Sequence, residues 1–147
     1  MNLLRSTLST FLIALLISCN PGVREAKSFI EENINQRGNF DVMVLNVEKI
    51  DGEFYKNKYT NQDMYALEFS ATVRSNQEGY VLVQEDGRVR NLNLFNDEPK
   101  DIMQRAYLKI KEIKHIKKGN QFEIHNRVIM VRKDSGWEPI ALRWDLI

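Results

Sequence analysis

The chain has 147 residues, 21 basic against 20 acidic side chains, two histidines and one cysteine. That length suits a single domain with a sizeable core. Near-neutral charge excludes global steering toward nucleic acid or anionic lipid, and a lone cysteine excludes an internal disulfide, so stability must come from packing.

The first segment places Arg5 ahead of an unbroken apolar run from Phe11 to Ile17. This run is far shorter than the roughly twenty residues that a membrane-spanning helix needs. A basic start, a short apolar run and a small residue form the pattern of a secretory signal. Leu16-Ile17-Ser18-Cys19 then sets an aliphatic residue, a permissive position and a small residue directly before the cysteine. This segment resembles the lipobox of bacterial lipoproteins. The resemblance implies a diacylglyceryl group on the Cys19 sulfur, removal of residues 1–18 as a signal peptide, and frequent acylation of the new amino group. One domain, 19–147, follows. Each buried methylene contributes about 0.8 kcal/mol, and a single acyl chain holds a protein only reversibly, whereas two or three hold it for good. Loss of Arg5 leaves equal numbers of acidic and basic side chains. Asn20 is not the aspartate that favours inner-membrane retention in some such lipoproteins, and no acidic run follows it. The expected location is therefore the bacterial cell envelope, lipid-anchored, with the outer membrane facing the periplasm favoured.

A helix is expected at once. Asn20 can cap it and Pro21 suits its first position, while Val23, Ala26, Ile30 and Ile34 recur at helical spacing. Gly38 is the stop signal. Val42 to Val47 reads as a strand, Asp51-Gly52 as a turn, and 53–63 as a polar loop. From Tyr65 the alternation of Tyr65, Leu67, Phe69, Ala71 and Val73 with polar residues predicts a half-buried strand. Tyr80–Val83 and Arg88–Leu94 read as short strands around Asp86-Gly87.

Residues 97–108 favour a helix that starts at Asp97 and Pro99, with Ile102 and Ala106 on one face. Residues 108–117 fit helix and strand equally. Gly119-Asn120 turns the chain into a long strand, Phe122–Lys133, whose apolar positions change parity near Asn126, as at a bulge or where the two ends face different neighbours. After Ser135-Gly136 the last strand alternates Ile140, Leu142, Trp144 and Leu146 with Ala141, Arg143 and Asp145.

This order is an α+β pattern: an N-terminal helix packed on a curved antiparallel β-sheet, with a possible second short helix. It resembles the cystatin-like and nuclear-transport-factor-like folds of small exported lipoproteins, as does Gly136-Trp137 after Arg132-Lys133. The resemblance transfers no functional residue.

Signals for chemistry are sparse. No Gly-x-Ser-x-Gly elbow or Gly-rich phosphate loop is present, and a lipidated Cys19 is no nucleophile. Glu112 and His115 share one face if their segment is helical, and His125 joins them only if the chain folds back at Gly119-Asn120. A zinc site needs at least three such ligands, so the expectation is no metal, and no cofactor of any kind. Asp97, Glu98 and Asp101 suit a helix start electrostatically. The basic stretch Lys109, Lys111, Lys114, Lys117 and Lys118 is the candidate binding surface, joined by the 53–63 loop. Lysines there would meet anionic headgroups or an acidic partner, against the plainer reading of a solvated face. No aromatic interleaves with them, which argues against nucleic acid. Tyr65, Phe69, Phe122, Trp137 and Trp144 could line a pocket between helix and sheet, but alternating strand aromatics are more often core.

The expected function is a membrane-tethered envelope lipoprotein, non-enzymatic, that binds an envelope protein, a peptide or a small apolar ligand. The alternative is a nuclear-transport-factor-like enzyme using a pocket carboxylate or histidine as general acid/base.

Overall fold

A computed structural model describes residues 21–37 (side chains through 34), 41–89 and 109–143. Helix α1 spans Val23–Arg37, followed by strands β1 (Val42–Lys56), β2 (Asp63–Ser75), β3 (Gly79–Gln84), β4 (Ile110–Ile116), β5 (Gln121–Lys133) and β6 (Gly136–Arg143). β1, β2, β5 and β6 form a four-stranded sheet in that order, every neighbour antiparallel. β3 and β4 form a separate antiparallel pair. The described residues are thus a mostly-sheet α+β fold with one helix laid on an antiparallel sheet.

The helix forms where apolar residues recur at helical spacing. Ala26, Ile30 and Ile34 are fully buried, while Arg24, Glu25, Lys27 and Ser28 are exposed. It starts two residues later than the proline rule suggests, since Pro21 and Gly22 precede it. Its first turn is closed by Glu25, whose carboxylate accepts the Gly22 N–H at 2.9 Å. Burial pushes the Glu25 carboxyl up, but hydrogen bonds from its own and the Gly22 backbone N–H, with the Arg24 charge, more than offset this and hold it below the usual range. An acid at this position also complements the helix dipole.

The sheet has two unlike faces. On the helix side, Tyr65, Leu67, Phe69, Ala71 and Val73 of β2 meet Ile124, Val128 and Met130 of β5 in one core with the helix residues. Val81, Val83 and Ile116 of the β3–β4 pair join that core. Fully burying one such side chain contributes about 1.5–3 kcal/mol. On the opposite face, Met64, Ala66, Ile129 and Val131 form a smaller buried cluster at the end where β6 pairs. Toward the other end this face turns polar, with Glu68 bonded to Arg127.

One expectation is corrected here, and two that were left open are resolved. Asp51-Gly52 is not a turn: Gly52 sits inside β1, opposite Leu67. The reason is Tyr65, whose ring lies across that position. A Cβ on Gly52 would fall 2.0 Å from the Tyr65 hydroxyl oxygen. The polar loop shrinks accordingly, because β1 runs to Lys56 and β2 begins at Asp63. The chain reverses over 57–62 alone, tied by Asn61 N–H to the Asn57 carbonyl at 2.8 Å.

Second, the undecided 108–117 stretch is strand from Ile110 to Ile116. Third, of the two readings of the parity change the structure has the second: β5 pairs with β2 without interruption, with no bulge at Asn126, and its two ends face different neighbours. Asn126 occupies a helix-side position opposite Phe69, and the apolar residues 129 and 131 belong to the second cluster. The irregularity is in β6, where Ile140 is the extra residue between Pro139 and Ala141. The turns at Asp86-Gly87, Gly119-Asn120 and Ser135-Gly136 stand as read, their glycines at φ 80, 87 and 119. Asn20, Gly38, residues 90–94 of the expected strand, the expected 97–108 helix with its acids, Trp144 and Cys19 lie outside the described residues.

Candidate functional site

The lysine stretch is not one face. Lys109 precedes β4 at φ 50, where its carbonyl accepts the Glu85 N–H at 2.9 Å. Lys117 and Lys118 lie in the turn between β4 and β5. That turn docks on the end of β2: Gly119 N–H donates to the Ser75 carbonyl at 2.7 Å, and Ser75 N–H to the Asn120 carbonyl at 2.9 Å. Only Lys111 and Lys114 point toward shared space. A strand turns alternate residues to opposite faces, so Lys114 and Glu112 share the inner side of β4, opposite Val81 and Val83, and Lys111 joins the cleft as the extra residue at the register shift between Val83 and Gln84.

That shared space is an open cleft of about 320 Å³ between the β3–β4 pair and the first half of β5. Among the described residues β6 pairs with Arg127–Lys133, and Gln121–Asn126 have no β6 neighbour. A single parallel bridge from Val89 to Ile124 touches that edge, with His125 N–H donating to the Val89 carbonyl at 2.8 Å. Val81, Val83, Val89 and Phe122 supply apolar walls, while Lys111, Lys114, Glu112, Glu123 and His125 bring charge of both signs. His125 Nε2 stands 3.4 Å from a Glu123 carboxylate oxygen, with the imidazole four-fifths buried.

The other histidine is elsewhere. His115 sits on the outer face of its strand, 2.8 Å from Glu78 and stacked at a tilt on Tyr80, ring centroids 5.0 Å apart. Glu-x-x-His spacing joins two side chains on a helix, but on a strand it separates them. Among the described residues no group of three His, Cys, Asp or Glu side chains is placed to hold a metal.

The space between helix and sheet is filled by Ile30, Ile34, Tyr65 and Phe69, all essentially without exposure. Tyr65 and Phe69 are core, and Phe122 and Trp137 pack against it partly buried.

The second notable region lies at the opposite end of the sheet, where both long hairpins turn. Phe54 is 52 % exposed and Tyr59, at the hairpin tip, 97 %. Tyr55 is exposed beside them, and a cavity of about 350 Å³ runs between Phe54, Tyr55, Met64, Arg132 and Trp137. The rings are interlocked: Phe54 lies 4.6 Å from Tyr65 and 5.7 Å from Trp137. Lys49 Nζ donates to the Tyr65 hydroxyl at 2.6 Å, which sets the ammonium at the edge of the ring. Nearby, the hydrogen bond and charge of Lys56 hold the Asp63 carboxyl below its usual range.

No family model, curated protein or solved structure matches this chain. Geometry alone must therefore carry any assignment. The sequence pointed to the 53–63 segment through its polar residues, whereas the exposed features there are Phe54, Tyr55 and Tyr59. Three aromatics within six positions among charged neighbours were the available signal. The cleft had no such signal, since it depends on how the β3–β4 pair sits against β5.

Proposed function

We propose that the protein is a cell-envelope lipoprotein, anchored through lipid on Cys19 and facing the periplasm from the outer membrane, that acts by binding a partner in the β3–β4/β5 cleft. The observation that carries this reading is the cleft itself: apolar walls with lysines and carboxylates at its rim. Such a lining suits a polypeptide segment from another envelope protein, whose side chains bring both apolar and ionic groups. The fold it resembles, cystatin-like or nuclear-transport-factor-like, is part of the same proposal. Among the described residues no helix is long and apolar enough to cross a membrane, and a lipid anchor needs none.

Two experiments test the parts separately. Cys19→Ala should leave an unlipidated precursor with its signal peptide attached. A variant of unchanged mobility and membrane association would end the lipoprotein reading. Affinity capture from the native envelope should retain a partner with the natural chain and lose most of it with Lys111→Glu/Lys114→Glu. Retention by both would move the binding site off the cleft. Single surface substitutions usually change stability by about 0.5 kcal/mol or less, and an unfolding curve of the double variant like that of the natural chain separates a lost contact from a folding effect.

The His125–Glu123 pair favours a second reading, general acid/base catalysis in the same cleft. A chemically altered ligand released by the natural chain but not by His125→Gln would establish it.

A further inference from the structure

The aromatic end of the sheet has exposure without an explanation in folding. A 15-residue helix is about 22 Å long, whereas the 13 residues of β2 extend for about 43 Å. The helix cannot cover that length. Its C-terminal half is fixed at one end, where Glu31 shares a cavity with Val42, Val44 and Asn76. Its contacts with β6 fall to its N-terminal half, since the described part of β6 lies beside Arg127–Lys133, away from that end. The helix start thus points toward the Phe54–Tyr59–Trp137 end, and the sheet overhangs beyond it.

From Cys19 to Val23 the chain advances four positions, about 14 Å at full extension. That reach brings residue 19 level with the overhang at most. It cannot carry residue 19 back along the helix to the lysine-bearing turn at Lys117 and Lys118. A membrane holding Cys19 therefore lies nearer the aromatic end than the Lys117–Lys118 turn.

We propose that the hairpin ends bearing Phe54, Tyr55, Tyr59 and Trp137 rest on the bilayer that holds the lipid anchor, presenting the cleft away from it. Tyrosine and tryptophan suit the headgroup region because an apolar ring and a polar edge are satisfied there together. Charge contributes little. Lys56, Lys58, Arg132 and Lys133 are set against Asp63, Asp134 and Glu138, two of these bases being paired locally with Asp63 and Glu138. The contact is therefore aromatic rather than electrostatic, and insensitive to salt. Met64 to Arg74 along β2 spans ten positions, about 33 Å, which separates the membrane contact from the Gln121 end of the cleft. The five lysines, on this arrangement, address a partner in the periplasm and not lipid headgroups.

This orientation rests on the lipid-anchor reading, and one experiment separates the two. The full chain is produced in a bacterial host, purified in detergent and reconstituted into phosphatidylethanolamine/phosphatidylglycerol vesicles. An acylated Cys19 is blind to maleimide, so Tyr59→Cys or Lys117→Cys supplies the sole reactive thiol for a fluorophore. Tyr59 is almost fully exposed, so its replacement does not disturb packing. Spin-labelled headgroups should quench the label at 59 several-fold more than the label at 117, with the same ratio in high salt. Equal quenching, stronger quenching at 117, or none at either overturns the orientation alone. Maleimide labelling of the natural chain at Cys19 would instead show a free thiol, and removes the anchor and the orientation together.

Discussion

The two ends of the four-stranded sheet solve the same problem in opposite ways. The helix is shorter than the strands and does not cover them from end to end. At the Gln121 end the β3–β4 pair adds its own apolar side chains to the core, and the remaining gap becomes a cleft lined by charge. At the Lys56 end nothing similar is added among the described residues, and the aromatic rings cover one another instead, leaving Phe54 half-exposed. One end is thus a recess with polar contacts, the other a projecting apolar surface. A recess selects a shaped partner; a projection of rings suits an extended interface. The difference teaches that burial here is set by the mismatch between helix and strand lengths, more than by any residue's own hydrophobicity.

The largest expected effect on this contrast comes from Gly52. An Ala Cβ there would lie within 2.0–2.8 Å of the Tyr65 ring atoms, and Tyr65 is itself held between Phe54 and Trp137. Gly52→Ala should cost about 1–3 kcal/mol, the range for overpacking, measured by denaturant unfolding. It should also disperse the ring cluster, visible as altered near-ultraviolet dichroism. A second substitution, Tyr65→Leu, should relieve part of the Gly52→Ala penalty, because the clash is with the ring. Additive costs would show that the two positions do not touch. A smaller effect attaches to Tyr65→Phe. It keeps the ring and removes the acceptor of the Lys49 bond, so a loss of about 0.5–1.5 kcal/mol is expected. A variant as stable as the natural chain would mean that water replaces the bond without penalty.

The fold was legible wherever one residue type repeats on one face. The period-two run from Tyr65 to Val73 marks β2, and the recurrence of Ala26, Ile30 and Ile34 marks the helix. Legibility failed where a tertiary contact overrides a local rule. Asp-Gly reads as a turn by backbone preference, yet at Gly52 the missing side chain serves a ring thirteen residues away. In β4 the isoleucines and lysines each recur every third residue, a spacing that matches neither a strand's period of two nor a helix's 3.6; pairing with Tyr80–Gln84 makes it a strand. The candidate site was legible in part. Lys111 and Lys114 do border the cleft, but Lys109, Lys117 and Lys118 lie in turns, a separation that depends on strand boundaries. His125 and Glu112 both line the cleft through pairing between distant segments, which no sequence spacing encodes.

The smallest effect concerns the helix start, the point through which an anchor would hold the sheet. Glu25 is titrated below its usual value of 4.5 by the backbone N–H groups it accepts and by Arg24, against an opposing push from burial. A carboxyl whose folded pKa is depressed stabilises the fold fully above its unfolded value, and loses that contribution as pH falls through the lower one. Stability should therefore decline from about pH 4.5 downward, and Glu25→Gln should remove this component of the decline while leaving the neutral-pH fold intact. The side chain is a third exposed, so solvent screening keeps the effect small, and comparison of the two unfolding profiles between pH 5 and pH 3 is the measurement that resolves it. Parallel profiles would mean that the Gly22 bond is no stronger with a carboxylate than with an amide. The helix start would then be held by the burial of Pro21 and Ala26, and the lever joining an anchor to the sheet would be apolar rather than ionic.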